Sequence, residues 1–124
     1  MELVLLPRKE FEFKLESGET IQGKHGTWST KRLCDKKGWS ILEFMVRFND
    51  TDKLTLDDIC QLLLCAVEYK WRKDNKGPFM SEYVNACEWL EEMGGFGSED
   101  WNKLLNHFAS DLTEEKKNQE QEVS

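Results

Sequence analysis

The segment Leu56 to Arg72 constrains the fold more than any other. At about 100° per residue, Asp57, Asp58, Gln61, Glu68 and Arg72 fall in one narrow strip of a helix. Ile59, Leu62, Leu63, Leu64, Ala66, Val67, Tyr69 and Trp71 share the rest of the circumference. A helix with so wide an apolar arc must be the centre of a core or be covered by a partner. Thr55 provides its N-cap, and Asp57 and Asp58 place carboxylates where the positive end of the helix dipole favours them.

Upstream, Phe11-Glu12-Phe13-Lys14-Leu15-Glu16 alternates apolar and polar residues, which predicts a strand with Phe11, Phe13 and Leu15 on one face. Ser17-Gly18 supplies a turn, and Glu19 to Lys24, with Ile21 as its single large apolar residue, reads as the return strand at a sheet edge. A further strand over Glu2 to Leu6 is compatible with the pattern. Thr27 or Ser29 can cap a short helix that Gly38 stops, behind Lys36 and Lys37. Ser40 opens the next helix with Glu43 three residues on, and Ile41, Phe44, Met45 and Phe48 form its apolar stripe.

Gly77-Pro78 breaks the chain after the long helix. A helix beginning at Phe79 or Ser81 then carries Tyr83, Ala86, Cys87 and Leu90 on one face and stops at Gly94-Gly95. Ser98 caps the last helix, whose stripe is Trp101, Leu104, Leu105, Phe108 and Leu112. The fold class this predicts is α+β, mainly α, with a short N-terminal β-hairpin followed by about five helices. Its single domain covers residues 1–112, divided into a hairpin over 10–24 and a helical part over 27–112. From 113 to 124 there is little to bury, and a mobile acidic tail is expected.

With 24 acidic against 17 basic residues, the net charge of -7 argues against nucleic acid and anionic membranes as partners, because both are held by clustered Lys and Arg. The one basic-looking stretch, Lys70 to Lys76, is interrupted by Asp74. No run reaches the ~20 apolar residues of a membrane-spanning helix. Met1 to Leu6 lacks the positive flank of a secretory leader and is halted by Pro7, so a cytosolic chain is expected.

The four cysteines Cys34, Cys60, Cys65 and Cys87 fall within helical patterns and read as free buried thiols. Cys60 and Cys65 would point about 140° apart on their helix, which argues against a shared zinc. His25 and His107 read as solvated. The carboxylate pairs Asp57-Asp58, Glu91-Glu92 and Glu99-Asp100 are explained by helix starts or exposed faces without acid–base chemistry. Gly94, Gly95 and Gly97 lack the strand before and the Lys-Ser/Thr after that a phosphate loop needs. The residues therefore argue for binding rather than catalysis, with no cofactor and no metal.

Five tryptophans exceed what a small core readily buries, so some are expected on the surface, where Trp favours protein interfaces. Trp101 belongs to its helix's apolar stripe; Trp89 falls about 100° off the line of Tyr83, Cys87 and Leu90, and Trp71 lies at the margin of the long helix. The expected protein-binding surface is therefore Leu62, Leu64, Tyr69, Trp71 and Trp89.

Taken in order, several features resemble the tail assembly chaperones of long-tailed phages and gene transfer agents. These are the hairpin Phe11 to Lys24, the short helix with Leu33 and Cys34, the segment Trp39-Ser40-Ile41-Leu42-Glu43-Phe44, and the Leu54-Thr55-Leu56-Asp57-Asp58 start of the long apolar helix. The likeness runs over residues 10 to 112 and is one of pattern, without a catalytic or ligand motif. It implies a protein of the bacterial host cytoplasm, absent from the mature virion, that binds the tape measure protein and tail tube subunits during tail morphogenesis. Self-association is a further partner reading. The alternative is a small head-tail connector or other virion component acting by protein contacts.

Overall fold

A computed structural model describes residues 2–50, 53–95 and 97–109. The expected acidic tail over 113–124 and the stripe position Leu112 lie outside the described residues. The N-terminal part is a three-stranded antiparallel sheet in the order β1-β2-β3, with β1 Leu3–Leu6, β2 Glu10–Lys14 and β3 Thr20–Lys24. Helices follow as α1 Thr27–Lys37, α2 Ile41–Asn49, α3 Leu56–Lys73 and α4 Tyr83–Glu92. A fifth, α5, covers residues 99–109. The architecture is α+β and mainly α, as the sequence patterns predict, with a third strand added to the hairpin.

Both hairpin turns use positive φ. Gly18 does so at φ 95, and its N–H donates to Leu15 O at 2.9 Å. Between β1 and β2, Arg8 and Lys9 adopt φ 61 and 62, and Glu10 N donates to Pro7 O at 3.4 Å. Two consecutive non-glycine residues in the left-handed region cost about 1–2 kcal/mol each, which the surrounding sheet must offset.

Phe11 and Phe13 point to one face of β2, as their alternation requires, and both are fully buried together with Ile21 from β3. Phe11 lies opposite Gly23 in the register, and its ring covers the space that a side chain there would fill. This face rests on α3, which packs against β3, α1 and α4. Ile59, Leu62, Leu63, Leu64, Ala66 and Val67 are consequently all buried, so the wide apolar arc is filled by the chain itself.

Two members of the narrow polar strip of α3, Asp58 and Glu68, are buried against α1, while Asp57 and Arg72 stay exposed. Asp58 Oδ1 meets Lys37 Nζ at 2.8 Å, and Asp58 Oδ2 accepts from Thr55 N at 2.9 Å, completing the capping box at the start of α3. Glu68 lies between Arg32, at 3.3 Å, and Arg72, at 2.8 Å. Asp58 and Glu68 are both buried. Burial of two carboxylates is tolerable here because each has a cation and hydrogen bonds in place.

Ser40 Oγ accepts from Glu43 N at 3.1 Å, the expected start of α2. Gly38, at φ 71, ends α1. At the start of α1 the cap is Gly26 rather than Thr27 or Ser29; Ser29 is fully buried, and its Oγ accepts from Gly26 N at 2.9 Å. Helix α4 begins at Tyr83, later than Phe79 or Ser81, because Phe79 instead packs edge-on against Trp71 at 6.2 Å. There Asn85 Oδ1 accepts from Glu82 N at 2.8 Å.

Candidate protein-binding surface

The residues that sequence reasoning nominated for binding separate into three groups. Leu62, Leu64 and Trp89 belong to the chain's own core, Trp89 meeting Phe13 edge-on at 6.4 Å. They present nothing to a partner, because α1, α4 and the sheet already surround α3. Trp71 is half-buried; its Nε1 donates to Gly77 O at 3.0 Å, Phe79 meets its edge, and Lys76 Nζ lies 5.5 Å from its ring. Its role is to hold the loop after α3. Tyr69 alone lines an open cavity, stacked on Trp28 with ring centroids 5.6 Å apart.

None of the five tryptophans is exposed, contrary to expectation. Trp101 and Trp89 are buried, while Trp28, Trp39 and Trp71 are half-buried against neighbours within the chain. Trp39 is clasped by two cations, with Arg47 Cζ 4.9 Å and Lys37 Nζ 5.7 Å from its ring.

Among the described residues, four of the nine exposed large apolar side chains lie together on α2, while Leu5, Leu56, Met80, Tyr83 and Val84 are exposed elsewhere. Phe44 and Phe48 turn inward, but Ile41 is 60% exposed, Leu42 68%, Met45 39% and Val46 47%. Between these residues only Glu43 and Arg47 are polar, and they pair with each other at 3.1 Å. The signal was present in the sequence: Leu42 and Val46 form a second i, i+4 row beside the stripe of Ile41, Phe44, Met45 and Phe48. A helix that buries two of its six large apolar side chains and exposes four adjoining ones has the composition of a docking face.

Beside this face opens a cavity of about 950 Å³ between the β1–β2 turn, the end of β3, α1 and α2. Ile41, Phe44, Met45 and Tyr69 give it an apolar wall, and Arg8, Lys9, Lys24 and Lys31 stand around it. His25 also contributes to its lining, yet its side chain is buried rather than solvated. The imidazole stacks within 5.7 Å of Phe48 and 6.3 Å of Phe44, and Nδ1 lies 3.3 Å from Ser29 Oγ. Burial, with smaller contributions from Lys9 and His107, pushes its pKa down to about 3, so it is neutral at pH 7. His107 Nε2 lies 3.0 Å from Glu10 O, which ties α5 to the sheet.

The chain matches no family model, no curated protein and no solved structure.

Cys34, Cys60 and Cys65 are buried free thiols and Cys87 is half-buried. Cys60 and Cys87 approach to 3.7 Å between sulfurs. Burial raises Cys60 and Cys65 to about 11, which keeps them protonated and poorly nucleophilic at neutral pH. Among the described residues no group of three or more His, Cys, Asp or Glu side chains is placed to hold a metal ion. Likewise, no helix among them is long and apolar enough to cross a membrane.

Proposed function

We propose that this chain is a tail assembly chaperone of a long-tailed phage or related particle, binding the tape measure protein in the host cytoplasm until the tail tube forms around it. The observation that carries the reading is the outer face of α2, where Ile41, Leu42, Met45 and Val46 are exposed side by side on a folded domain. A long helical client with apolar faces needs such a surface to stay in solution before assembly. The order of elements, hairpin first and then a short helix, a capped amphipathic helix and a long central helix, supports it through the resemblance noted above. Tail tube subunits are a second class of client with the same need.

The test is a tagged pull-down from cells producing the particle, with the captured proteins identified by mass spectrometry. Wild type should bring down a long helical tape measure protein, and Leu42→Glu or Val46→Glu should lose it while circular dichroism stays unchanged. Recovery of portal or capsid proteins in its place, together with presence of the chain in purified virions, would assign it to the head-tail connector instead.

A further inference from the structure

The cavity beside α2 is cationic in a chain that is otherwise acidic. Its lining includes Arg8, Lys9, Lys24 and Lys31 and no carboxylate, although acidic residues outnumber basic ones 24 to 17 in the whole chain. Of the nearby carboxylates, Asp35 already neutralises Lys31, and Glu10 is engaged by two lysines outside the lining, which leaves Arg8 and Lys24 as the cations an occupant would meet. Glu10 is shared by Lys70 at 3.2 Å and Lys73 at 3.8 Å, and Asp35 pairs with Lys31 on the exposed side of α1 at 2.8 Å. Arg8 is exposed and has no ion-pair partner among the described residues. Lys24 is held over the Tyr69 ring at 5.9 Å, and burial, then the nearby Lys73 and Arg8, lower its pKa despite Glu10. Cations gathered where they repel one another are relieved by an incoming negative charge.

The two halves of the cavity ask for different things of an occupant. Ile41 and Met45 continue the exposed apolar face of α2 into it, whereas Arg8, Lys9 and Lys24 come from the sheet side. Arg8 and Lys9 are held there by the left-handed turn between β1 and β2. Resting on the α2 docking face proposed above, we infer that this cavity receives an amphipathic helix of the client protein that carries Asp or Glu along the flank of its apolar stripe. The apolar stripe would lie on Ile41, Phe44 and Met45, and the carboxylates would meet Arg8 and Lys24. An extended polyanion such as RNA fits less well, because the net charge of -7 repels it beyond the cavity.

The experiment uses the purified full chain and fluorescence anisotropy of labelled synthetic helices with leucines at i, i+3, i+4 and i+7. One probe carries Glu on the flanks of that stripe, its counterpart carries Lys, and a single-stranded RNA oligomer and a peptide of residues 110–124 serve as competitors. The Glu helix should bind at least about tenfold tighter than the Lys helix, with affinity falling as salt rises. Arg8→Glu and Lys24→Glu should each weaken it by about tenfold at unchanged circular dichroism, while Lys103→Glu, on α5, should not. If Lys24→Glu fails to fold, the exposed Arg8 carries the test.

Equal binding of the two helices, or indifference to Arg8→Glu, would overturn the proposal. So would tighter binding of RNA, tighter binding of the 110–124 peptide, or self-association that Arg8→Glu abolishes, each of which assigns the cavity to another occupant. The outcome is separable from that of the chaperone reading. Loss of client on Leu42→Glu without any preference for Glu helices leaves the docking face standing and removes only this inference. A Glu preference without capture of a tape measure protein does the reverse.

Discussion

The rings of His25 and Phe108 lie 4.8 Å apart and join the end of the sheet to the last helix. Phe44 and Phe48 from α2 and Phe11 from β2 complete the surrounding aromatic cluster. A neutral imidazole suits this site, and a protonated one does not.

The consequence is a pH dependence with a definite sign. Because the folded-state pKa is lowered from 6.5 to about 3, only the unfolded chain binds the proton between those values. Stability from His25 is therefore fully present above pH 6.5 and is lost as pH falls, by about 1.4 kcal/mol for each pH unit well below 6.5. Urea denaturation followed from pH 7 to pH 4 should show this slope in the wild type and a much flatter curve in His25→Phe. Asp58, whose pKa also lies below its ordinary value of 3.8, adds its own loss only below that range.

Gly23→Ala should be strongly destabilising, by about 2–4 kcal/mol, because the added methyl would occupy the space of the Phe11 ring, itself fixed between Phe13 and Phe108. The midpoint of thermal unfolding measures it. A paired Gly23→Ala, Phe11→Leu variant should regain part of the loss, since the smaller side chain vacates the overlap.

Lys37 is the cation that lets Asp58 stay buried. Burial raises the Asp58 pKa, but the Lys37 ammonium and the Thr55 hydrogen bonds lower it further than burial raises it, so the group remains charged at neutral pH. Lys37→Met should cost about 2–3 kcal/mol, below the range for fully buried pairs because the lysine side chain is 22% exposed. Asp58→Asn in the same background should recover part of it. Chemical denaturation of the two single variants and the double variant gives the coupling directly.

Trp71→Ala should reduce stability by about 1–2 kcal/mol through lost packing on Phe79 and Gly77, and leave client capture intact. Equal loss of client in Trp71→Ala and Leu42→Glu would return the binding surface to the end of α3.

The local signals were legible wherever a short stretch of sequence contains the whole device. The Thr55 and Ser40 caps, the Gly38 stop and the Phe11–Phe13 alternation each need only a few neighbouring residues, and each is realised as read. What escaped depends on residues distant in the chain. Nothing near His25 announces that Phe108 will cover it, and nothing within α3 announces that Arg32 and Lys37 will pair with its Glu68 and Asp58. The same limit governs the binding surface. The width of the apolar arc on α3 identified a central helix correctly but could not say whether a partner or the rest of the chain fills it, and the chain does. For Leu42 and Val46 the reverse holds, since nothing among the described residues covers them.

Co-expression of the tape measure protein with this chain, followed by separation of soluble and pelleted material, tests the central claim most directly. Wild type should hold the client in the soluble fraction, and Leu42→Glu combined with Val46→Glu should send it to the pellet while the variant itself stays soluble and folded. A client equally soluble with wild type, with the double variant and with no chain at all would contradict the account.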